Sequence, residues 1–363
     1  MRTDRGGGVR YVQNLTNSLL DSVSEMVFLG VGGKAETRGK IRYIPVAQSA
    51  NSTWRFLLGL IWARIWYLRD VSAVIHVHRL YYCLPFLGRR FCCIVTLHGR
   101  TFTVFPKRFG RLASRIVFPI FRNIEGFLLK RATKIVAVSS DVVDQFKQRH
   151  GNLIDQSDIS IIPSMIDLQS FSPDRPPWPD SPYPDSDVCL FVGRIAHVKN
   201  LPLLLRTWEL VLAELPEAKL VIAGEGEDAN LISKQIENSA LVRAVCMAGA
   251  VPPDIVPLAI SSAKVLVLTS QHEASPTVVK EALACGIPVV STPVGDVASI
   301  ISDGETGAIV EPDEKALAAA IVAVMGWNRS RHRIAEHAHL KLKPFEPSEV
   351  TKKYLTLYRA LGA

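Results

Sequence analysis

Cysteine is scarce in this 363-residue chain, and the six that occur (Cys83, Cys92, Cys93, Cys189, Cys246 and Cys285) fall at no metal-ligand spacing. That argues against a zinc module or a disulfide framework. Most of them sit in apolar, strand-like runs, which marks them as reduced core residues. Long apolar stretches are lacking too. The longest, RFLLGLIWARIWYLRD, is broken by arginines and is too short and too charged to span a bilayer. No secretory leader opens the chain, because Met1 runs straight into polar, Gly-rich sequence. Together these absences lead us to expect a cytoplasmic protein. Nucleic-acid recognition motifs are missing as well, so an excess of basic residues is not read as nucleic-acid binding.

What is present is an uneven distribution of charge. Through Arg175 the chain carries 25 Lys and Arg against 12 Asp and Glu, and the remainder carries 17 against 22. The two halves therefore meet different partners, and the basic one suits an anionic membrane or phosphorylated substrates. Apolar content of 48% and charged content of 21% fit a globular protein long enough for two α/β domains. The stretch PDRPPWPDSPYPDSD, residues 173–187, is rich in Pro and Asp and forms neither helix nor central strand. It is expected to link a first domain, 1–172, to a second, 188–343. Residues 344–363 are expected to form a helix that packs back on the first domain.

Behind the linker, short β-rich runs (VCLFVG, KLVIAG, AVCMAG, KVLVLTS, PVVST, GAIVEP) alternate with helical patterns such as LPLLLRTWELVLAEL and EKALAAAIVAVM. Strands that are apolar without alternation, joined by helices, imply a parallel sheet covered on both faces. The first half reads in the same way, with EMVFLG, IRYIPV, SAVIHVH, CCIVTLHG, KIVAVSS and ISIIP as strands. One piece is missing. Gly6, Gly7 and Gly8 arrive after only MRTDR, where a doubly wound domain has a first strand. The natural chain is therefore expected to start upstream of Met1, or the form in hand to be truncated and impaired.

The most informative stretch is HEASPTVVKEALACGIPVVSTPVGD, residues 272–296. It follows the strand KVLVLTS, and ligands of open α/β sheets bind at the carboxyl ends of strands. Ser275 is expected as N-cap, Pro276 at the first helical position and Gly286 just past the end. Glu273 then lies in the loop and Glu281 about 7–8 Å along the helix axis. The free N–H groups of Thr277, Val278 and Val279, together with the helix dipole, suit an anion such as a diphosphate. A carboxylate beside that anion must bond to hydroxyls, so the ligand is anionic in the middle and hydroxyl-rich at both ends. A sugar nucleotide has that layout.

The same stretch resembles the E-x7-E signature of family 4 glycosyltransferases, retaining enzymes of the GT-B fold, in which two doubly wound Rossmann-like α/β domains face each other across a cleft. GGGVRYVQNLTNSLL, TLHG, IVAVSSDVVDQF, IIPSMIDLQSF, LFVGRIAHVKN, VIAGEGED and MAGAV match in the same order. Ser164 stands where the family usually has Asn.

The resemblance implies a catalytic set of Arg194, Lys199, Glu273 and His98. Arg194 and Lys199 would grip the donor diphosphate and stabilise it as it leaves. Glu273 would bind the donor sugar, and His98 would contact that sugar near the reacting carbon. Glu281 would take the ribose hydroxyls, and the backbone of Ala274, Ser275, Pro276, Thr277, Val278 and Val279 would hold phosphate or sugar. Gly7 and Gly8 would admit the diphosphate to the first-domain backbone, and Gly193, Glu225 and Val251 would complete the nucleotide-sugar site.

The resemblance further implies a nucleotide-sugar donor, UDP- or GDP-linked, with no bound metal or other cofactor. It also implies a glycan or lipid-linked acceptor in cell-surface polysaccharide synthesis. His76 and His78 alternate on one strand without a third ligand and are read as structural or acceptor-facing. Residues 105–131 interleave Lys107, Arg108, Arg111, Arg115 and Arg122 with apolar side chains. Such a helix suits either an anionic membrane surface or an ordinary packed helix with a basic face. Two alternatives stay open for the whole chain: an inactive or truncated relative, and a sugar-nucleotide epimerase.

Overall fold

A computed structural model describes residues 7–48, 53–68, 73–88, 90–99, 105–151 and 159–362, with the side chains at 7–10, 53 and 105–116 left aside. The chain divides into two compact units, Met1–Met165 with Pro347–Ala363, and Ile166–Glu346.

The first unit holds strands β1 (Met26–Val31), β2 (Glu36–Arg38), β3 (Ile41–Ala47), β4 (Val74–Val77), β5 (Cys92–Leu97), β6 (Lys134–Ala137) and β7 (Ile159–Ile161). Its helices are α1 (Gly7–Leu19), α2 (Thr53–Trp66), α3 (Phe105–Arg131) and α4 (Ser140–His150). Apolar residues on both faces bury β5, where Cys93, Ile94, Val95 and Leu97 are all at most 4% exposed. Helix α1 buries Tyr11, Leu15 and Leu19, spaced four apart on one face. Among the described residues the strands form two separate sheets. One runs in the order β1-β3-β2, and the other is the parallel set β4-β5-β6-β7. Each of β1 and β4 pairs on one side only. The hairpin strand β2 runs antiparallel to β3 and was not legible in sequence: Glu36, Thr37 and Arg38 are all exposed, so they carry no apolar period.

The second unit holds β8 (Val188–Val192), β9 (Lys219–Ala223), β10 (Val245–Gly249), β11 (Val265–Leu268), β12 (Val289–Ser291) and β13 (Gly307–Ile309). Its helices are α5 (Leu201–Glu214), α6 (Ala229–Glu237), α7 (Val256–Ser261), α8 (Thr277–Ala284), α9 (Val297–Ile300), α10 (Glu314–Met325) and α11 (Arg331–Leu342). The six strands make one parallel sheet in the order β10-β9-β8-β11-β12-β13. Apolar cores cover both faces. One is built around Leu190, Leu266 and α8, the other around Phe191, Trp208 and α10. This is the doubly wound arrangement that the alternating pattern predicts.

The Pro- and Asp-rich residues 173–187 lie in the second unit, as turns and bends without helix or strand. Trp178 and Tyr183 pack against that unit's core, and Trp178 N donates to Ser262 Oγ at 2.6 Å. The final helix, α12 (Pro347–Ala360), belongs to the first unit and packs against α1. None of the six cysteines is disulfide-bonded, and four of them are buried. Among the described residues no helix is long and apolar enough to cross a membrane.

Candidate active site

In the second unit the chain runs outward from β8 to β9 and β10, then returns to place β11 on the other side of β8. The sheet therefore changes direction between β8 and β11, and the loops leaving these two strands diverge at the same end. That is where an open α/β sheet leaves room for a ligand. Lys199 follows β8 and Glu273 follows β11, so they straddle the switch. Lys199 Nζ donates to Glu273 Oε1 at 2.5 Å, and both side chains are largely buried.

The backbone holds this pair in place. Thr269 Oγ1 donates to the Lys199 carbonyl at 2.9 Å, and Gln271 N to the Val198 carbonyl at 2.8 Å, which ties the β11 loop to the turn His197–Lys199. The next residue, Asn200, is the one non-glycine with positive φ (52°) among the described residues. Asn tolerates the left-handed region better than most residues, and there it turns the chain sharply into α5. Ser270 Oγ also donates to Glu273 Oε1, at 2.7 Å. A lysine and a carboxylate with two donors are thus held together at the strand ends.

The other residues deduced from sequence gather at this end in different states. Gly193 lies beside the lysine: a Cβ added there would sit 3.7 Å from Lys199 Nζ. Its N–H bonds to the Ala223 carbonyl, and Ile195 N bonds to the Glu225 carbonyl at 2.8 Å, which places Glu225 on the neighbouring β9 loop. Val251 follows β10 and packs on the core. Arg194 is largely exposed and turns instead to Glu227 Oε1, at 2.9 Å. Glu281, one turn into α8, is 5% exposed.

The start of α8 differs from the expectation. The helix begins at Thr277, with Pro276 at the cap position (φ −69°, ψ 106°) and no side-chain cap. Ser275 is not the N-cap because its hydroxyl is taken elsewhere: it donates to Asp296 Oδ2 at 2.6 Å and accepts from Lys280 Nζ at 2.5 Å. The amides of Thr277, Val278 and Val279 still form the uncapped first turn after Ala274. Gly286 ends the helix in the left-handed region (φ 71°), as expected.

The sequence reading missed Lys280. It is fully buried, yet its Nζ reaches Asp296 Oδ2 at 2.9 Å and lies 4.2 Å from the Phe345 ring centroid. Burial pulls its pKa down, and the Asp296 carboxylate opposes that pull. Asp296 Oδ1 is left buried without a hydrogen-bond partner. Through Ser275 the Lys280–Asp296 pair joins the loop before α8 to the turn after β12. Gly295 in that turn presses on the same loop: at φ 56°, its Cβ would lie 2.9 Å from the Ala274 carbonyl oxygen. The available signal was a lysine inside an apolar helical run, with an aspartate in the same motif.

The remaining predicted residues, His98, Gly7 and Gly8, belong to the first unit. Gly7 and Gly8 open α1, and their surroundings lie outside the described side chains. His98 ends β5, where its Nε2 is 3.0 Å from His78 Nδ1 and its ring meets Tyr11 edge-on at 4.7 Å. His76 Nδ1 is 2.7 Å from the Tyr358 hydroxyl, and its Nε2 is 2.6 Å from Thr96 Oγ1. Tyr354 joins Tyr11 and Thr96. The network links β4, β5, α1 and α12. Burial lowers the pKa of His76 to about 3 and of His98 to about 4, and holds His78 well below the ordinary value, so all three are neutral at pH 7. Among the described residues no His, Cys, Asp or Glu cluster is arranged to hold a metal ion.

The family model described as "Glycosyl transferases group 1" matches residues 177–341, and "Glycosyltransferase Family 4" matches residues 5–170. Among curated proteins, N-acetyl-alpha-D-glucosaminyl L-malate synthase of Bacillus anthracis is 22% identical over 305 residues, which is 80% of this chain and 75% of that protein. Among solved structures, sucrose-phosphate synthase of Thermosynechococcus elongatus superposes with a TM-score of 0.79 at 22% identity, covering 98% of this chain and 94% of the other. HepE of Anabaena, solved in complex with UDP-glucose, gives a TM-score of 0.74 at 17% identity, covering 98% and 97%.

Proposed function

The chain belongs to the group 1, family 4 glycosyltransferases of GT-B fold, and from that premise we propose a retaining enzyme that uses a nucleoside-diphosphate sugar. It would move a hexose-type sugar from a UDP- or GDP-linked donor to a glycan or lipid-linked acceptor in cell-surface polysaccharide synthesis. The observation that carries this reading is the Lys199–Glu273 pair across the β8/β11 switch, beside the uncapped amides of α8. A diphosphate at those amides competes for Lys199 and releases Glu273 to accept from sugar hydroxyls.

Arg194, exposed and held among the described residues by a surface ion pair, has the freedom to turn toward the diphosphate. Exposed pairs of this kind contribute little to stability, so the motion is cheap. Two cations near the leaving diphosphate lower the cost of its developing charge. Glu281 is assigned to the ribose, and Gly193, Glu225 and Val251 to the nucleotide pocket. His98, buried and neutral, is assigned to the donor sugar as a hydrogen-bonding group rather than as a cation, and Gly7 and Gly8 to the diphosphate. No cofactor is assigned. The enzyme would act at the inner face of the membrane, with residues 105–131 against anionic lipid. The side chains of Lys107, Arg108, Arg111 and Arg115 in that segment lie outside the described residues, whereas Arg122 is exposed.

The test is thermal stabilisation by UDP, GDP and ADP, followed by NMR of the product's anomeric configuration. One nucleotide should raise Tm, and the product should keep the donor's configuration. Inverted product would overturn the retaining assignment. Epimerised donor without acceptor would favour the epimerase.

A further inference from the structure

Helix α2 is apolar on both sides. Its inner side packs Phe56, Leu57, Leu60 and Ala63 into the core beneath it. Gly59 brings the helix onto β3 so closely that a Cβ would collide with the Val46 carbonyl, 1.8 Å away. The outer side carries Trp54, Leu58, Ile61, Trp62, Ile65 and Trp66, between 43% and 77% exposed. At about 100° per residue these positions form one continuous stripe roughly 18 Å long. Three of the chain's six tryptophans stand on it. A globular protein does not leave such a stripe in water without use.

A second helix meets the same turn as α2. Both α2 and α3 pack against the turn Leu80–Phe86, in which Leu84 is exposed. On α3, Phe121, Ile124 and Phe127 are 39%, 42% and 51% exposed, with Arg131 stacked 5.4 Å from the Phe127 centroid. Charge on this surface has one sign. Helix α2 contains no acidic residue, and the single acid of α3, Glu125, is turned inward to Arg149 and His150. Arg122, Lys130 and Arg131 are exposed at the C-terminal half of α3.

We propose that the outer stripe of α2 inserts into the interfacial layer of an anionic lipid bilayer, with α3 supplying the cationic contact beside it. An apolar helix face rich in Trp, bordered by Arg and Lys, suits the boundary between headgroups and acyl chains. The sign of the charge decides between occupants. A second copy would bring a like-charged face to this one and repel it, whereas anionic headgroups attract it. Fourteen residues are too few to span a bilayer, so α2 lies in the plane of the interface. This inference rests on the reading of the α3 face as membrane-facing and adds the residues that insert.

The test uses the full chain with phosphatidylglycerol-containing vesicles and, in parallel, pure phosphatidylcholine vesicles. Two variants are compared, Trp54→Ser/Leu58→Ser/Trp66→Ser on α2 and Arg122→Gln/Lys130→Gln/Arg131→Gln on α3, each checked for unchanged thermal unfolding. Wild-type protein should co-sediment with the anionic vesicles, and its tryptophan fluorescence should be quenched by lipids brominated along the acyl chain. The α2 variant should lose quenching and bind at least about tenfold more weakly. The α3 variant should bind more weakly while the fraction still bound remains quenched. Unchanged binding and quenching in the α2 variant, with binding lost in the α3 variant, would overturn the α2 insertion and leave the α3 reading standing. No binding to either vesicle would overturn both. A stable dimer that the α2 variant dissolves, with no vesicle binding, would assign the stripe to a second copy instead.

Discussion

At their strand ends the two units bury polar groups in opposite ways. In the second unit the buried groups at the strand ends are charged and compensated: Lys199 with Glu273, and Lys280 with Asp296. In the first unit the cluster at the ends of β4 and β5 is made of rings and hydroxyls kept neutral by burial: Tyr11, His76, His78, Thr96, His98, Tyr354 and Tyr358. The difference matches the division of roles proposed above, a diphosphate at the second unit and a sugar at the first. A diphosphate is a concentrated charge and needs charge to meet it. A sugar is an array of hydroxyls, which neutral donors and acceptors bind without paying for the desolvation of an ion.

The largest effect that sharpens this contrast is expected at two residues of the proposed donor site. Lys199→Ala and Glu281→Ala should each lower kcat/KM by roughly 30- to 3,000-fold, the range for losing a charged contact to a bound ligand, with the protein still folded. Steady-state kinetics beside a melting curve would show it, and wild-type turnover in either variant would remove these residues from the site.

Lys280 should behave in the reverse manner. Lys280→Ala strands a buried aspartate and should cost about 3–5 kcal/mol of stability, lowering Tm by roughly 6–20 °C. The double variant Lys280→Met/Asp296→Leu removes both charges and should recover much of that stability, because a buried ion pair is no more stabilising than well-packed apolar side chains. A double variant as unstable as the single one would mean that the pair's charge is itself needed.

Acid should act on the first unit. His76 and His98 have folded pKa values near 3 and 4, below the ordinary 6.5, so the unfolded chain binds the extra protons. Stability is therefore whole above about pH 6.5 and falls as the pH drops from there toward about 3. Native-state hydrogen exchange of β4 and β5 at pH 7, 6 and 5 should show progressive loss of protection. A flat profile would contradict neutral burial. The smallest effect is expected for Tyr358→Phe, which removes one hydrogen bond to His76 and should cost about 0.5–1.5 kcal/mol in urea unfolding.

Legibility in the sequence followed the same division. Each strand of the second unit's sheet was readable because parallel strands buried on both faces are short, uninterrupted apolar runs. The E-x7-E spacing was readable because both carboxylates flank one strand–loop–helix unit, where local geometry suffices. Ser275 was misread as a cap for an instructive reason. Capping propensity is local, and it was overridden by a lysine five residues ahead and an aspartate that comes within reach only when β12 lies beside β11. The His76–Tyr358 contact joins residues 282 positions apart, and no spacing encodes it.

What the sequence by itself determined is the alternation of strands and helices, the asymmetry of charge and the chemistry at the end of β11, because each depends on residues within about one supersecondary unit. Tertiary structure decided which charges pair, which histidines stay neutral and which face of α2 is left in contact with water. These depend on burial and on partners brought close by the crossovers of the sheet. A side chain's pKa and exposure are properties of its surroundings, and those exist only once the strands have taken their order.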